Sequence, residues 1–178
     1  MEDSLTEILE GRLKKFLPFL CSVLLVLVAY VPIHLPLSQY LRPDVGMICV
    51  YFWALYRQDL FGALSAFVLG FIADSLSAVP IGLNVFSFML VFALSSTFGS
   101  YVNSKPFALS WGGFAIISLL AFVAKWLLIS VYYSKFLAFG GVFTAYLATV
   151  FLYPLIARLN IWIQNRFLAN EEVIYEQG

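Results

Sequence analysis

The sequence predicts an all-α, polytopic membrane bundle of about six transmembrane helices joined by short loops, with both termini cytoplasmic. Three observations predict it. Hydrophobic residues make up 62% of the 178-residue chain and charged residues 11%, against roughly 45–50% and about 25% in soluble chains. Mean hydropathy is +0.93, more apolar side chain than a water-soluble core of this size absorbs. Six apolar runs, with minimal connections between them, approach the length of about 20 residues that crosses a hydrocarbon layer roughly 30 Å thick. Ten basic and ten acidic residues balance to a net charge of zero, so no basic field attracts nucleic acid.

Residues 1–15 read as a cytoplasmic amphipathic leader. Ser4-Leu5-Thr6-Glu7 has the form of a capping box, and Leu5, Ile8, Leu9 and Leu13 share one face of a helix over 4–14 that lies on the membrane surface. The first span runs from about Phe16 to Leu35. Its start resembles a signal peptide, but no A-x-A-like cleavage site follows, so it reads as a retained helix. The second, Val45 to Tyr56, is short: counted from Pro43 to Gln58 it rises only about 24 Å. It therefore either crosses a thinned region or is re-entrant and shielded by its neighbours. The third span covers Leu60 to Ala78, the fourth Leu83 to Tyr101, the fifth Phe107 to Tyr133 and the sixth Phe139 to Leu159, completing a bundle over 16–159.

The connections Arg57-Gln58-Asp59, Val79-Pro80-Ile81-Gly82 and Asn103-Ser104-Lys105-Pro106 leave no room for an extramembrane domain. A cytoplasmic tail over 160–178 ends with Glu171, Glu172 and Glu176. Basic residues fix the orientation. With six spans and the N-terminus inside, Arg12, Lys14, Lys15, Arg57, Lys105, Arg158 and Arg166 are cytoplasmic, and only Arg42 and Lys135 lie outside.

An ionisable residue inside a span costs on the order of 2.5–3.5 kcal/mol, so it usually faces a partner. Asp74 and Lys125 are two such residues. Helical steps of about 100° place Ala63, Ala66, Gly70, Ala73, Asp74 and Ser77 on one arc of the third span, where small side chains admit another helix. Ser118, Ala121, Lys125 and Tyr132 share a face of the fifth. Asp74 rises about 21 Å above Leu60, and Lys125 about 21 Å above Trp111 or about 27 Å above Phe107, which predicts that they pair in the outer half of the bundle, with Asn84 of the fourth span bonded to Asp74. No second intramembrane acid supports an ion pathway, so the cluster reads as structural or partner-binding. Arg42-Pro43-Asp44 begins the second span, as a helix cap or as a partner-facing ion pair.

No catalytic, cofactor or metal site is expected. H-E-x-x-H, G-x-S-x-G and P-loop motifs are absent from the sequence, His34 is the sole histidine, and Cys21 and Cys49 read as small core residues.

Arg42-Pro43-Asp44, then Tyr51-Phe52-Trp53-Ala54-Leu55-Tyr56-Arg57-Gln58-Asp59-Leu60, then Gly70-Phe71-Ile72-Ala73-Asp74-Ser75-Leu76, then Pro80-Ile81-Gly82-Leu83-Asn84 form an ordered series. In order and spacing this series resembles the bacterial rod shape-determining protein MreD family. Gln58 stands where the family commonly has proline, and Ser77-Ala78-Val79 where glycine is common before the proline. The resemblance implies a non-enzymatic scaffold of the cell-wall elongation complex in the bacterial inner membrane. It implies association with MreC and, through it, with the MreB filament, the RodA glycosyltransferase and a class B penicillin-binding transpeptidase. Six short-looped helices also resemble the substrate-capturing subunit of an energy-coupling factor vitamin transporter. That alternative requires a ligand-sized outer cavity with several convergent polar groups.

Overall fold

A chain this poor in polar side chains must satisfy its backbone N–H and C=O groups internally, and helix does so within a single segment. The computed structural model describes residues 2–31, 42–77, 79–102, 107–136 and 139–167, and these form six helices and no strand. They are α1 (Glu2–Tyr30), α2 (Val45–Tyr56), α3 (Ala63–Leu76), α4 (Leu83–Val102), α5 (Phe107–Tyr132) and α6 (Phe139–Phe167). His34, Ala78, the connection over 103–106 with Lys105, and the acidic residues Glu171, Glu172 and Glu176 lie outside the described residues.

The boundaries match expectation for α2, α4 and α5 to within one residue and differ elsewhere for identifiable reasons. α1 is continuous from Glu2, so the leader expected over 4–14 runs unbroken into the first apolar segment, and Ser4 stands inside the helix instead of capping it. α3 starts at Ala63, three residues later than expected. Arg57 leaves the helical region at φ −142°, and the Leu60 and Phe61 N–H groups both return to its carbonyl at 3.0 and 3.1 Å. That turn carries Phe61 into the core, where it is fully buried. α6 continues eight residues beyond the expected Leu159, and Asn160 and Ile163 are buried within this extension.

α2 is the axis of the molecule. Every residue from Val45 to Leu55 is buried, and α1, α3, α4, α5 and α6 all pack against it. Twelve residues rise only about 18 Å. Its neighbours bury it on every side. Its Tyr51, Phe52 and Trp53 form a dense aromatic core with Phe61, Phe88, Phe114 and Tyr153.

α3 and α4 pack closest. A Cβ added to Gly70 would lie 2.6 Å from the Val85 Cα, so only glycine permits this approach. Ala66 and Ala73 are buried on the same face, but Ala63 is exposed. The small-residue seam therefore begins one turn later than expected, because α3 has only just begun at Ala63.

α5 and α6 are long and apolar enough to cross a membrane unaided, with mean hydropathies of 2.3 and 1.7 over their most apolar windows. Phe16–Tyr30, α2, α3 and Leu83–Gly99 are shorter apolar helices. Large apolar side chains such as Leu64, Phe71, Ile116, Phe151 and Leu155 remain exposed around the outside, a surface of the kind lipid or a partner covers.

Candidate functional site: a buried polar clasp

The start of α2, the end of α3, the start of α4, the last third of α5 and the first half of α6 converge at one end of the bundle. α2 begins with Asp44 as its N-cap, whose Oδ1 accepts the Met47 N–H at 3.1 Å. A carboxylate suits that position because the first N–H groups of a helix lack intrahelical partners and carry the positive end of its dipole. The Asp44 N–H in turn donates to the Thr149 hydroxyl of α6 at 2.9 Å, and that hydroxyl donates to the Ala145 carbonyl.

Asp74 plays the corresponding part between α3 and α4. Only 2% exposed, its carboxylate accepts the N–H groups of Gly82 and Asn84, each at 2.8 Å, and of Val85 at 3.3 Å. One side chain thus satisfies three donors at the start of α4, and the charge is matched by the helix terminus instead of by a cation. The turn needs glycine: Gly82 has φ +100°, a region where other residues are strained.

Asn84 joins the two halves. Its side-chain NH2 donates to the Ser77 hydroxyl at 3.0 Å, and its side-chain oxygen accepts from the Lys125 ammonium. Lys125 also forms an ion pair with the Asp44 carboxylate at 3.2 Å, both side chains being mostly buried. The result is a chain of contacts running Thr149, Asp44, Lys125, Asn84, Asp74 that ties five of the six helices, counting both helices that Asp74 links.

Sequence reasoning identified four of these residues but not their pairing. The expected ion pair of Asp74 with Lys125 is not formed. Lys125 pairs with Asp44, and Asn84 stands between, donating its backbone N–H to Asp74 while accepting from Lys125 through its side chain. The physical reason is that the α4 N-terminus already supplies Asp74 with donors. Arg42 is exposed and takes no part. On α5, Ser118 and Ala121 are buried as expected, whereas Tyr132 is exposed.

Thr149 was missed, and nothing in its apolar surroundings marks it. A second polar knot nearer the opposite end was also missed. The Tyr51 hydroxyl donates to the Ser110 carbonyl at 2.9 Å, and the Ser110 and Tyr153 hydroxyls lie 2.7 Å apart. Phe114 stacks on Tyr153 with ring centres 4.6 Å apart. Two tyrosines embedded in apolar runs were the available signal, since a buried Tyr hydroxyl generally finds a partner.

Chemically this arrangement holds helices together. Every charged group in the clasp is engaged by another group of the chain, and no three His, Cys, Asp or Glu side chains among the described residues are grouped to hold a metal. A groove of about 450 Å³ lies on the flank of α6, lined by Pro43, Thr144, Leu147, Ala148, Phe151 and Leu152. Its walls are almost wholly apolar, not the set of convergent polar groups that the vitamin-transporter alternative requires. That alternative gains no support.

Comparison with protein-family models matches residues 11–164 to the family described as rod shape-determining protein MreD. Comparison with curated proteins and with solved structures gives no match.

Proposed function

Because the chain belongs to the rod shape-determining protein MreD family, and so has a part in determining rod shape, we propose that it is a non-enzymatic, multi-pass scaffold of the cell-wall elongation complex in the bacterial inner membrane. In this reading all six helices are embedded, and both termini are cytoplasmic. The chain links MreC, and through it the MreB filament, to the RodA glycosyltransferase and the class B penicillin-binding transpeptidase.

The observation that carries the proposal is the family match over 11–164. The clasp supports it: intramembrane charges committed to one another serve architecture, whereas a transport site must leave some free for its ligand. The orientation is supported by Arg57, Arg158 and Arg166, which belong to the end of the bundle opposite the clasp, as the retention of basic residues in the cytoplasm requires. On this view Asp74, Asn84, Lys125 and Asp44 are structural, and with Ala66, Gly70 and Ala73 they fix the shape of the surface that partners meet.

The test is co-purification of the full-length chain from native membranes in mild detergent. MreC is expected to accompany it, and expression is expected to restore rod shape to cells lacking their own copy. A well-inserted chain that neither retains MreC nor restores rods overturns the proposal.

A further inference from the structure

The apolar surface is taller on one flank of the bundle than on the other. On α5 the exposed apolar side chains run from Leu109 to Val131, about 33 Å, and on α6 from Phe139 to Trp162, about 35 Å. Either band covers a hydrocarbon layer roughly 30 Å thick. On α3 the corresponding band runs only from Leu64 to Leu76, and on α4, among the described residues, from Phe86 to Phe98, about 18 Å in each case.

Two sets of contacts put the shortfall at the clasp end. Away from the clasp the helices are flush: a Cβ on Gly99 of α4 would lie 3.2 Å from the Leu55 carbonyl near the end of α2, and the Tyr51 hydroxyl reaches the Ser110 carbonyl near the start of α5. At the clasp the Asn84 side chain accepts from Lys125 and the Gly82 N–H donates to Asp74, so the α3–α4 turn stands level with the Lys125 ammonium. From Lys125, α5 continues seven residues to Tyr132, about 10 Å further, and Leu127, Leu128 and Val131 are exposed along that stretch. α6 likewise begins ten residues before Thr149, about 15 Å beyond it.

The turn Val79-Pro80-Ile81-Gly82 is irregular backbone, and its Ile81 is 78% exposed. Irregular backbone does not face lipid within the hydrocarbon, where its N–H and C=O groups find no water. A flat bilayer matched to α5 and α6 would nonetheless bury this turn about 10 Å deep. We propose that the bilayer is not flat around this chain: the phospholipid headgroups of the clasp-side leaflet are drawn down about 10 Å onto the α3–α4 turn, so that lipid itself is the partner of this flank. A hydrophobic stretch shorter than the local bilayer thins it at modest cost for each ångström of mismatch. The thin zone is then a place that short membrane-crossing helices favour and long ones avoid. This rests on the membrane-embedded reading of the chain and gives its border an uneven thickness.

Ile81→Cys and Leu128→Cys, each in a full-length Cys21→Ala chain whose Cys49 is buried, carry a nitroxide label in dioleoylphosphatidylcholine vesicles. Both positions are exposed and stand at about the same height in the bundle, Leu128 lying three residues beyond Lys125. Power saturation against oxygen and against a water-soluble nickel chelate reads the depth of each label. The label at 81 is expected in the headgroup layer, relaxed mainly by nickel, and the label at 128 in hydrocarbon, relaxed mainly by oxygen, with apparent depths at least about 5 Å apart. In the thinner dimyristoleoylphosphatidylcholine the difference is expected to narrow, because less lipid has to be drawn down. Equal depths in dioleoylphosphatidylcholine overturn the proposal, and so does a difference that persists unchanged in the thinner bilayer. So does a label at 81 shielded from both reagents, because protein then covers the flank. Both labels in water would remove the membrane-embedded reading as well, whereas a chain that retains MreC and restores rods yet shows equal depths in hydrocarbon refutes the thinning alone.

Discussion

Asp44 and Asp74 are both carboxylates at helix N-termini in apolar surroundings, yet only Asp44 recruits a cation. The difference lies in the number of backbone donors each meets: three for Asp74, one for Asp44. Lys125 therefore completes Asp44, and removing it strands a mostly buried carboxylate. Lys125→Met is expected to destabilise the bundle by roughly 2–4 kcal/mol, while the double variant Asp44→Asn with Lys125→Met, which keeps a capping oxygen without the charge, recovers most of the loss. Thermal unfolding in detergent of the singles and the double checks this, and additive losses would show that the two side chains do not depend on each other. Gly70→Ala is expected to cost about 1–3 kcal/mol by forcing α3 off α4, seen as a lower Tm in the same assay. Residue chemistry was partly legible in the sequence. Asp74 and Lys125 stood out because charge is costly in apolar runs, Asn84 because it lies just past the turn within reach of Asp74, and Asp44 as a cap or ion pair at the entry to the second span. Which of them pair was not legible, because that depends on how far α4 advances over the end of α3, and helical period alone does not set it.

For an element, the instructive case is α4, whose start is held by a side chain from the preceding helix. Asp74→Ala removes the acceptor for three N–H groups at once, so the first turn of α4 should open while its remainder stays packed. Hydrogen–deuterium exchange should accelerate at Gly82, Asn84 and Val85 relative to amides near Val91, and uniform acceleration along α4 would count against the anchoring role. Helix existence was legible throughout from apolar run length. The ends of α3 and α6 were not, for opposite reasons. Phe61 is apolar enough to read as span but is carried into the core by a turn, whereas Asn160 is polar enough to read as tail but is buried in the continuing helix. Polarity marks where lipid stops only for side chains that face it.

Over the whole molecule, α2 runs from the clasp to Arg57, and in the six-span reading its far end is cytoplasmic. A cysteine placed at the exposed Gln58 is expected to react with a membrane-impermeant maleimide in inside-out vesicles and not in right-side-out ones, with Cys49 buried and the wild-type chain as control. Labelling from the outer side would invert the assignment of every later helix. The all-helical architecture and its helix count were legible from composition and run length, because lipid leaves the backbone few choices. The central position of α2 was legible only as one of two options, since a segment too short to span looks alike whether the bilayer thins or protein surrounds it. In the six-span reading its burial also constrains biosynthesis. At about 18 Å α2 offers a membrane insertase too little length to be released alone into lipid, and two of the helices that enclose it, α5 and α6, leave the ribosome last. The segment that becomes the centre must therefore wait, loosely held, until the C-terminal third of the chain has been made.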